Sequence, residues 1–582
     1  MPYKRFFEPR LDRPLPLWMI FPVIFAALYA SHFSLLGVPY YWDEAGYYIP
    51  AAWDFFRTGS LIPITTLTNA HPPLPSIYLA IWWKASGFLP EVTREAVLMV
   101  ASLGLLGVWR LAMRVVGVPS VAFWTTLLTG VYPIWFAQSS LAHADIFAAA
   151  CTLWGLACIL PDRDHNPRVA AIWFAAATLC KETAIVVPLT LVAANLVFAF
   201  RASKSERGRF VRESAWLASS VLPLAAWYGW HYSKTGFLFG NPEFLKYNAQ
   251  SNFDALRFLA AFGHRILHLT AHMNMFVPVL MTLAALMLAP RLESDGSQRA
   301  AISRLALQRI FLLLLMNALF FSVLGGALLT RYLLPMYPLI ILIAVTSFYR
   351  RVPYWHGVAV FSAAAFVVGL FVSPPYGFAP EDNLAYEHVV RLHLAGIEQL
   401  RHRYPGAVVL TAWPMSDELT RPELGYVKEP WDVVRIEDFT AGQIRIAAQE
   451  ANNYSAALVF STKYDPPPGI FNLGSRSQAL DERFFGLHHD LQPETIARML
   501  GGNLVWKRDD NGMWVGLIRF NRQVEARLRQ GEATDLLVAS AAGQGQAPRV
   551  STPIIRLSCL TVLHPVPAVC DASFPALFSP PQ

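Results

Sequence analysis

The chain has 582 residues, of which 54% are hydrophobic, 13% aromatic and only 15% charged, against roughly 25% charged in an ordinary soluble domain. That balance excludes a disordered chain, a coiled coil, collagen and a disulfide-dense secreted scaffold. The net charge of +7 would suit nucleic acid, but nothing else supports that partner, and in a membrane protein such a surplus marks basic loops on one face.

Eleven apolar stretches approach the ~20 residues that cross a ~30 Å hydrocarbon layer. They are 16–37, 95–116, 120–139, 141–160, 168–181, 183–200, 214–231, 273–289, 308–326, 331–348 and 354–373. The first is long and lacks a small-x-small cleavage site, so it reads as an uncleaved signal anchor. The segment 74–90 is also apolar, but it carries Lys84 and two Trp and is read as lying along the interface. The alternative is a twelfth span. Basic residues decide between the two. With the N-terminus inside, nineteen Lys and Arg of the short loops, from Lys4 to Arg351, fall on the cytoplasmic side, as positive-inside asymmetry expects. A span at 74–90 would invert everything downstream.

The predicted fold is therefore a polytopic α-helical membrane protein of about 11 transmembrane helices over residues 1–373, with large outer loops at 38–94 and 232–272. Charges become frequent after Pro374 and Pro375. Short β-like runs at 407–413, 456–461, 504–507 and 514–520 alternate with helical patterns at 441–452 and 493–500. That alternation predicts an extracytoplasmic α/β domain over 374–538. Residues 539–582 read as a flexible linker and a Pro-rich tail. Cys151, Cys158 and Cys180 lie in apolar stretches and suit packing. Cys559 and Cys570 lie in the tail, where an oxidising compartment predicts a disulfide between them. No Cys/His metal spacing and no phosphate-binding glycine loop is present.

The few ionisable residues of the apolar half sort to one level. Asp43 and Glu44 follow the first span, within the aromatic segment Tyr40-Tyr41-Trp42-Asp43-Glu44-Ala45-Gly46-Tyr47. His71 precedes Pro72 and Pro73, which fix an extended turn. His143 and Asp145 open the span 141–160, Lys181 and Glu182 form a turn between spans, and Arg331 and Tyr332 open the span 331–348. Each has an ordinary reading: a solvated loop pair, a helix-start acid, a snorkelling arginine. Acids and bases gathered at one depth point instead to a shared cavity.

The order Asp43-Glu44-Ala45-Gly46-Tyr47, His71-Pro72-Pro73-Leu74, Ala142-His143-Ala144-Asp145 and Arg331-Tyr332-Leu333-Leu334-Pro335 resembles the GT-C superfamily of membrane glycosyltransferases. The branch it is most similar to holds the protein O-mannosyltransferases and the lipid A aminoarabinose (ArnT-like) transferases. The resemblance covers about residues 16–350 in layout. One departure is that His71 stands where the family often has Lys, so this contact's charge depends on pH near neutrality.

The resemblance implies transfer of a sugar from a polyprenyl-phosphate donor to a lipid, glycan or protein acceptor on the outer face, with inversion by direct displacement. Asp43 is then the candidate general base, with Glu44 and Asp145 as further catalytic candidates. His71, Lys181, Arg331 and Tyr332 are candidates for the donor phosphate. Trp42, Tyr47 and His143 are candidates for sugar or acceptor contact. Adjacent carboxylates also suit a hard cation, so Asp43 and Glu44 are the candidate ligands of a divalent metal. The resemblance places the chain in a bacterial plasma membrane. Two rivals stand beside this reading. A transporter or lipid flippase would carry its ionisable groups near the midplane on broken helices. A non-catalytic membrane scaffold would not need Asp43, Asp145 and Arg331 to meet.

Overall fold

The computed structural model describes residues 16–521 except 67, 69, 162–164, 241–253, 325–327, 465–482, 486–489 and the side chain of 205, together with the backbone of 534 and 535. Residues Met1–Leu537 form one compact unit. Cys559, Cys570 and the tail predicted over 539–582 lie outside the described residues.

Helix covers part of each of the eleven apolar stretches. Among the described residues, four helices are long and apolar enough to cross a bilayer alone: Leu17–Leu35, Pro90–Val115, Glu182–Arg201 and Arg304–Val323. Ala144–Ile159, Pro167–Cys180 and Trp355–Phe371 are shorter apolar helices. Local chemistry sets their limits. Pro90, Pro119 and Pro167 sit in the first turn, where a missing N–H costs nothing. Asn166 accepts from the Val169 N–H, and Ser303 from Ala306, satisfying donors that no helix can pair internally. The helix Ala144–Ile159 is buried almost all round, which marks it as the centre of the bundle. Gly155 lets the neighbouring helix approach it: a Cβ there would lie 2.6 Å from the ring of Phe174.

Three stretches take a more specific form than the sequence expectation. Residues 120–139 break at Tyr132–Pro133 into two helices, since the residue before proline is driven out of helical conformation. The segment 74–90 forms a helix over Leu74–Ser86 of 13 residues, about 20 Å long and short of the layer. The loop 232–272 contains a 16-residue helix, Ala255–Thr270, bent by 98° from the apolar helix Phe276–Leu286 that follows.

Among the described residues, the C-terminal part carries a six-stranded sheet in the order β4-β5-β3-β1-β2-β6. The strands are β1 Val409–Ala412, β2 Val433–Ile436, β3 Ala456–Phe460, β4 Asn503–Asp510, β5 Met513–Arg519 and β6 Thr534–Asp535. β1 runs parallel to β2 and β3, β6 runs parallel to β2, and β4 and β5 form an antiparallel edge. Fully buried β1 and β3 have helix on their faces, as parallel strands require. The helix Ala385–Arg403 packs on β5, β4 and β3. β2 was not separable from its polar surroundings in sequence, because only four residues, Val433-Val434-Arg435-Ile436, form it.

The sheet-bearing part meets the segment that follows the first apolar helix directly. The Tyr40 N–H donates to the Leu424 carbonyl (3.2 Å), Tyr426 Oη donates to the Tyr40 carbonyl (3.1 Å), and Arg421 donates to the Thr65 carbonyl (2.9 Å). The Trp413 ring, just past β1, stands edge-on to Trp42 with centroids 5.0 Å apart.

Candidate active site

Arg331 is the centre of the site. It lies in the short helical turn Thr330–Leu333 and is 2% exposed. Its guanidinium bonds Asp43 and Glu381, and its Nε lies 3.3 Å from Asp145 Oδ2. Asp145 occupies the first turn of Ala144–Ile159, a favourable end for a carboxylate. Lys181 Nζ donates to its other oxygen at 2.6 Å and stands 4.2 Å from the centre of the Tyr332 ring. Three carboxylates thus face two cations. Of the three, Asp43 is the most open, its side chain 21% exposed against 3% and 4% for Asp145 and Glu381.

Glu381 belongs to the polar turn Pro380–Asp382, beyond the last apolar helix. Burial pushes its carboxyl up to about 8; Arg331 pulls it down, while Asp43, Asp382 and Asp145 push it further up. The next residue, Asp382, binds Thr330 and His272, the latter at 2.9 Å. Together they fold the start of the polar half onto the ends of the membrane helices.

Asp43 and Glu44 diverge. Glu44 is fully buried and bonds Arg94, the Ala142 N–H (2.5 Å) and the Tyr41 N–H (2.9 Å). Both of its oxygens are committed, and it ties the first loop to the helices behind it. The left-handed Trp42 (φ 45) starts the wide helical turn Glu44–Tyr48, which sends the two side chains to different arginines.

A cleft next to this cluster is lined by Tyr47, Tyr48, His71, Trp227 and His231. His71 Nδ1 pairs with Glu182 at 2.9 Å. The Tyr48 ring lies between two histidines, its centroid 5.8 Å from both His71 and His143. His143 is fully buried, with Nδ1 bonded to Gln138 at 2.9 Å and Nε2 without a hydrogen-bond partner among the described residues.

This arrangement can be set beside known proteins. No protein-family model matches the sequence, and no curated protein does. Among solved structures, ArnT from Cupriavidus metallidurans superposes in its apo state with a TM-score of 0.50 at 14% identity, over 86% of this chain and 97% of ArnT. ArnT bound to undecaprenyl phosphate gives 0.50 at 16% identity over the same shares. The chain has the fold of ArnT. The archaeal oligosaccharyltransferase AglB from Archaeoglobus fulgidus is more distant, with a TM-score of 0.38 at 12% identity over 76% of this chain and 69% of AglB.

Within this fold, Asp43, Asp145, Lys181, Arg331 and Tyr332 meet in one contact network. His71, Tyr47 and His143 lie around the neighbouring cleft, and Trp42 lies under Trp413. Glu44 stands apart from them, held by Arg94. The expectation that Asp43 and Glu44 share a metal does not fit this geometry, because the paired carboxylates face separate arginines. Sequence reasoning missed three groups. Glu381 falls in the predicted α/β domain and is not singled out there, although two acids directly after Pro380 and a span were its signal. Glu182 was read only as a turn residue. Arg265 sat in a stretch read as loop. It is 1% exposed, bonds the main-chain carbonyls of Leu329 (2.8 Å) and Phe321, and has no carboxylate partner among the described residues.

Proposed function

We propose that the chain is an integral-membrane glycosyltransferase that moves a sugar from a polyprenyl-phosphate donor to an acceptor hydroxyl at the outer face of the membrane. The observation that carries this reading is the joining of Asp43, Asp145, Glu381, Lys181 and Arg331 at one end of the helix bundle. A scaffold has no use for such convergence, and the cluster sits at helix ends rather than at mid-helix, where a transporter would hold it.

Asp43, the most open carboxylate around Arg331, takes the acceptor proton as the acceptor oxygen bonds to the anomeric carbon. The bond from that carbon to the phosphate oxygen breaks on the opposite side, and polyprenyl phosphate departs. Direct displacement of this kind inverts the anomeric centre. Arg331 is a positioning residue that fixes Asp43 and Asp145 together. Lys181, Tyr332, His71 and Arg265 receive the donor phosphate, whose charge grows as the bond breaks. Asp145 stabilises positive charge on the sugar. Tyr47, Trp42 and His143 contact sugar or acceptor. The frame is a bacterial plasma membrane with the N-terminus cytoplasmic, a transmembrane part over 1–373 and an extracytoplasmic domain over 374–538.

Reconstitution with a panel of polyprenyl-phosphate sugars, scored by release of polyprenyl phosphate, tests the reading. One member of the panel is expected to turn over with acceptor present. Release from none of them with a broad acceptor mixture would overturn it.

A further inference from the structure

The far ends of the same helices carry a second charged cluster that the proposed reaction does not use. The helix Ala144–Ile159 has 16 residues, so its ends lie about 24 Å apart. Beyond Ile159, Arg309 donates to the Ile159 carbonyl (3.0 Å), to Asn195 (2.7 Å) and to Glu213 Oε2 (2.8 Å). Arg309, Asn195 and Glu213 are all buried. The other oxygen of Glu213 faces His165 Nε2 at 2.8 Å and Arg209 Nε at 3.4 Å. A clamp between helices needs no more than this.

More cation is present than the clamp uses. An open cavity lies outside it, lined by His165, Arg168, Arg209, Arg212, Glu213 and Trp216. Glu213 is the one acid among the described residues that line it, and Arg309 already faces that charge from behind. Arg168 stands 5.2 Å over the Trp216 ring, which holds the guanidinium at the rim. Arg212 has no ion pair among the described residues. Three arginines crowded at one opening repel each other unless an anion joins them. Their planar forks match phosphate oxygens. A basic pocket between helices at a membrane face, with a tryptophan at its edge, suits a lipid headgroup.

We propose that this cavity is a phosphate-binding site on the membrane face opposite the Asp43 cluster. Arg168, Arg209 and Arg212 hold the phosphate, and the Arg309–Glu213 clamp fixes the helix that carries Arg209 and Arg212. The phosphate belongs either to an anionic lipid headgroup or to the free anion.

Thermal unfolding of the full-length protein in neutral detergent tests this, with phosphatidylglycerol, phosphatidylcholine or inorganic phosphate titrated in. Phosphatidylglycerol is expected to raise Tm and phosphatidylcholine to leave it unchanged. In Arg168→Gln/Arg212→Gln the concentration needed for half the shift should rise at least tenfold. Stabilisation by phosphatidylglycerol alone identifies a lipid headgroup; equal stabilisation by inorganic phosphate identifies the free anion. No shift in the wild type, or the same shift in the double variant, overturns the proposal. Both arginines are exposed, and Arg212→Gln alone serves if the double variant does not fold.

Discussion

Both carboxylate oxygens of Glu381 accept from Nη1 of Arg331. The first residue beyond Pro380 therefore closes the charge cluster at one end of the helix bundle. Asp43, Asp145 and Glu381 set three negative charges against Arg331 and Lys181. The surplus is relieved when Glu381 keeps its proton, its carboxyl being pushed up to about 8.

That shift makes stability depend on pH. The folded value lies above the ordinary 4.5, so the folded state holds a proton that the unfolded state has lost. Stability from this group is full below about 4.5, falls as pH rises from there to about 8, and is flat beyond. Glu381→Gln should remove this slope. Tm measured against pH for both proteins checks it; parallel curves would assign the proton elsewhere.

Asp43→Asn keeps the shape of the side chain and removes its capacity as a base. Turnover should fall about 10²- to 10⁴-fold, the usual worth of a general base, with donor affinity little changed. Release of polyprenyl phosphate by the purified variant is the measurement. A rate equal to wild type would take Asp43 out of the chemistry.

Glu44→Gln should behave differently from its neighbour. It strips the buried Arg94 of its counter-charge, and breaking one side of such a pair costs about 3–5 kcal/mol. The expected result is a large drop in Tm, with the surviving folded fraction still active. Loss of activity at unchanged Tm would give Glu44 a role in the reaction.

Gly46→Ala tests how the sheet-bearing part covers the site. A Cβ at Gly46 would lie 2.8 Å from the Trp413 ring, and overpacking of this kind costs about 1–3 kcal/mol. Trp413→Leu in the same chain should recover part of that loss. A double-mutant cycle on Tm reads the coupling; strict additivity would mean that the two residues do not touch.

The apolar helices were legible from hydropathy alone, because a 20-residue run needs no distant partner to be recognised. The ionisable residues at their ends were legible too, since charge is costly within a hydrocarbon layer and each exception stands out. β1, β3, β4 and β5 showed in local patterning, whereas the four residues of β2 were too few. The pairings were out of reach. Arg331 lies 288 positions from Asp43 and 50 from Glu381, and a chain separation of that size carries no local signal. Glu44 looked equivalent to Asp43 until Arg94, 50 positions away, claimed it. Local sequence sets which residues are helical and which are buried. Which charges neutralise one another depends on how the helices pack and how the sheet-bearing part folds back. That packing turned an adjacent acidic pair into one open carboxylate and one buried clamp.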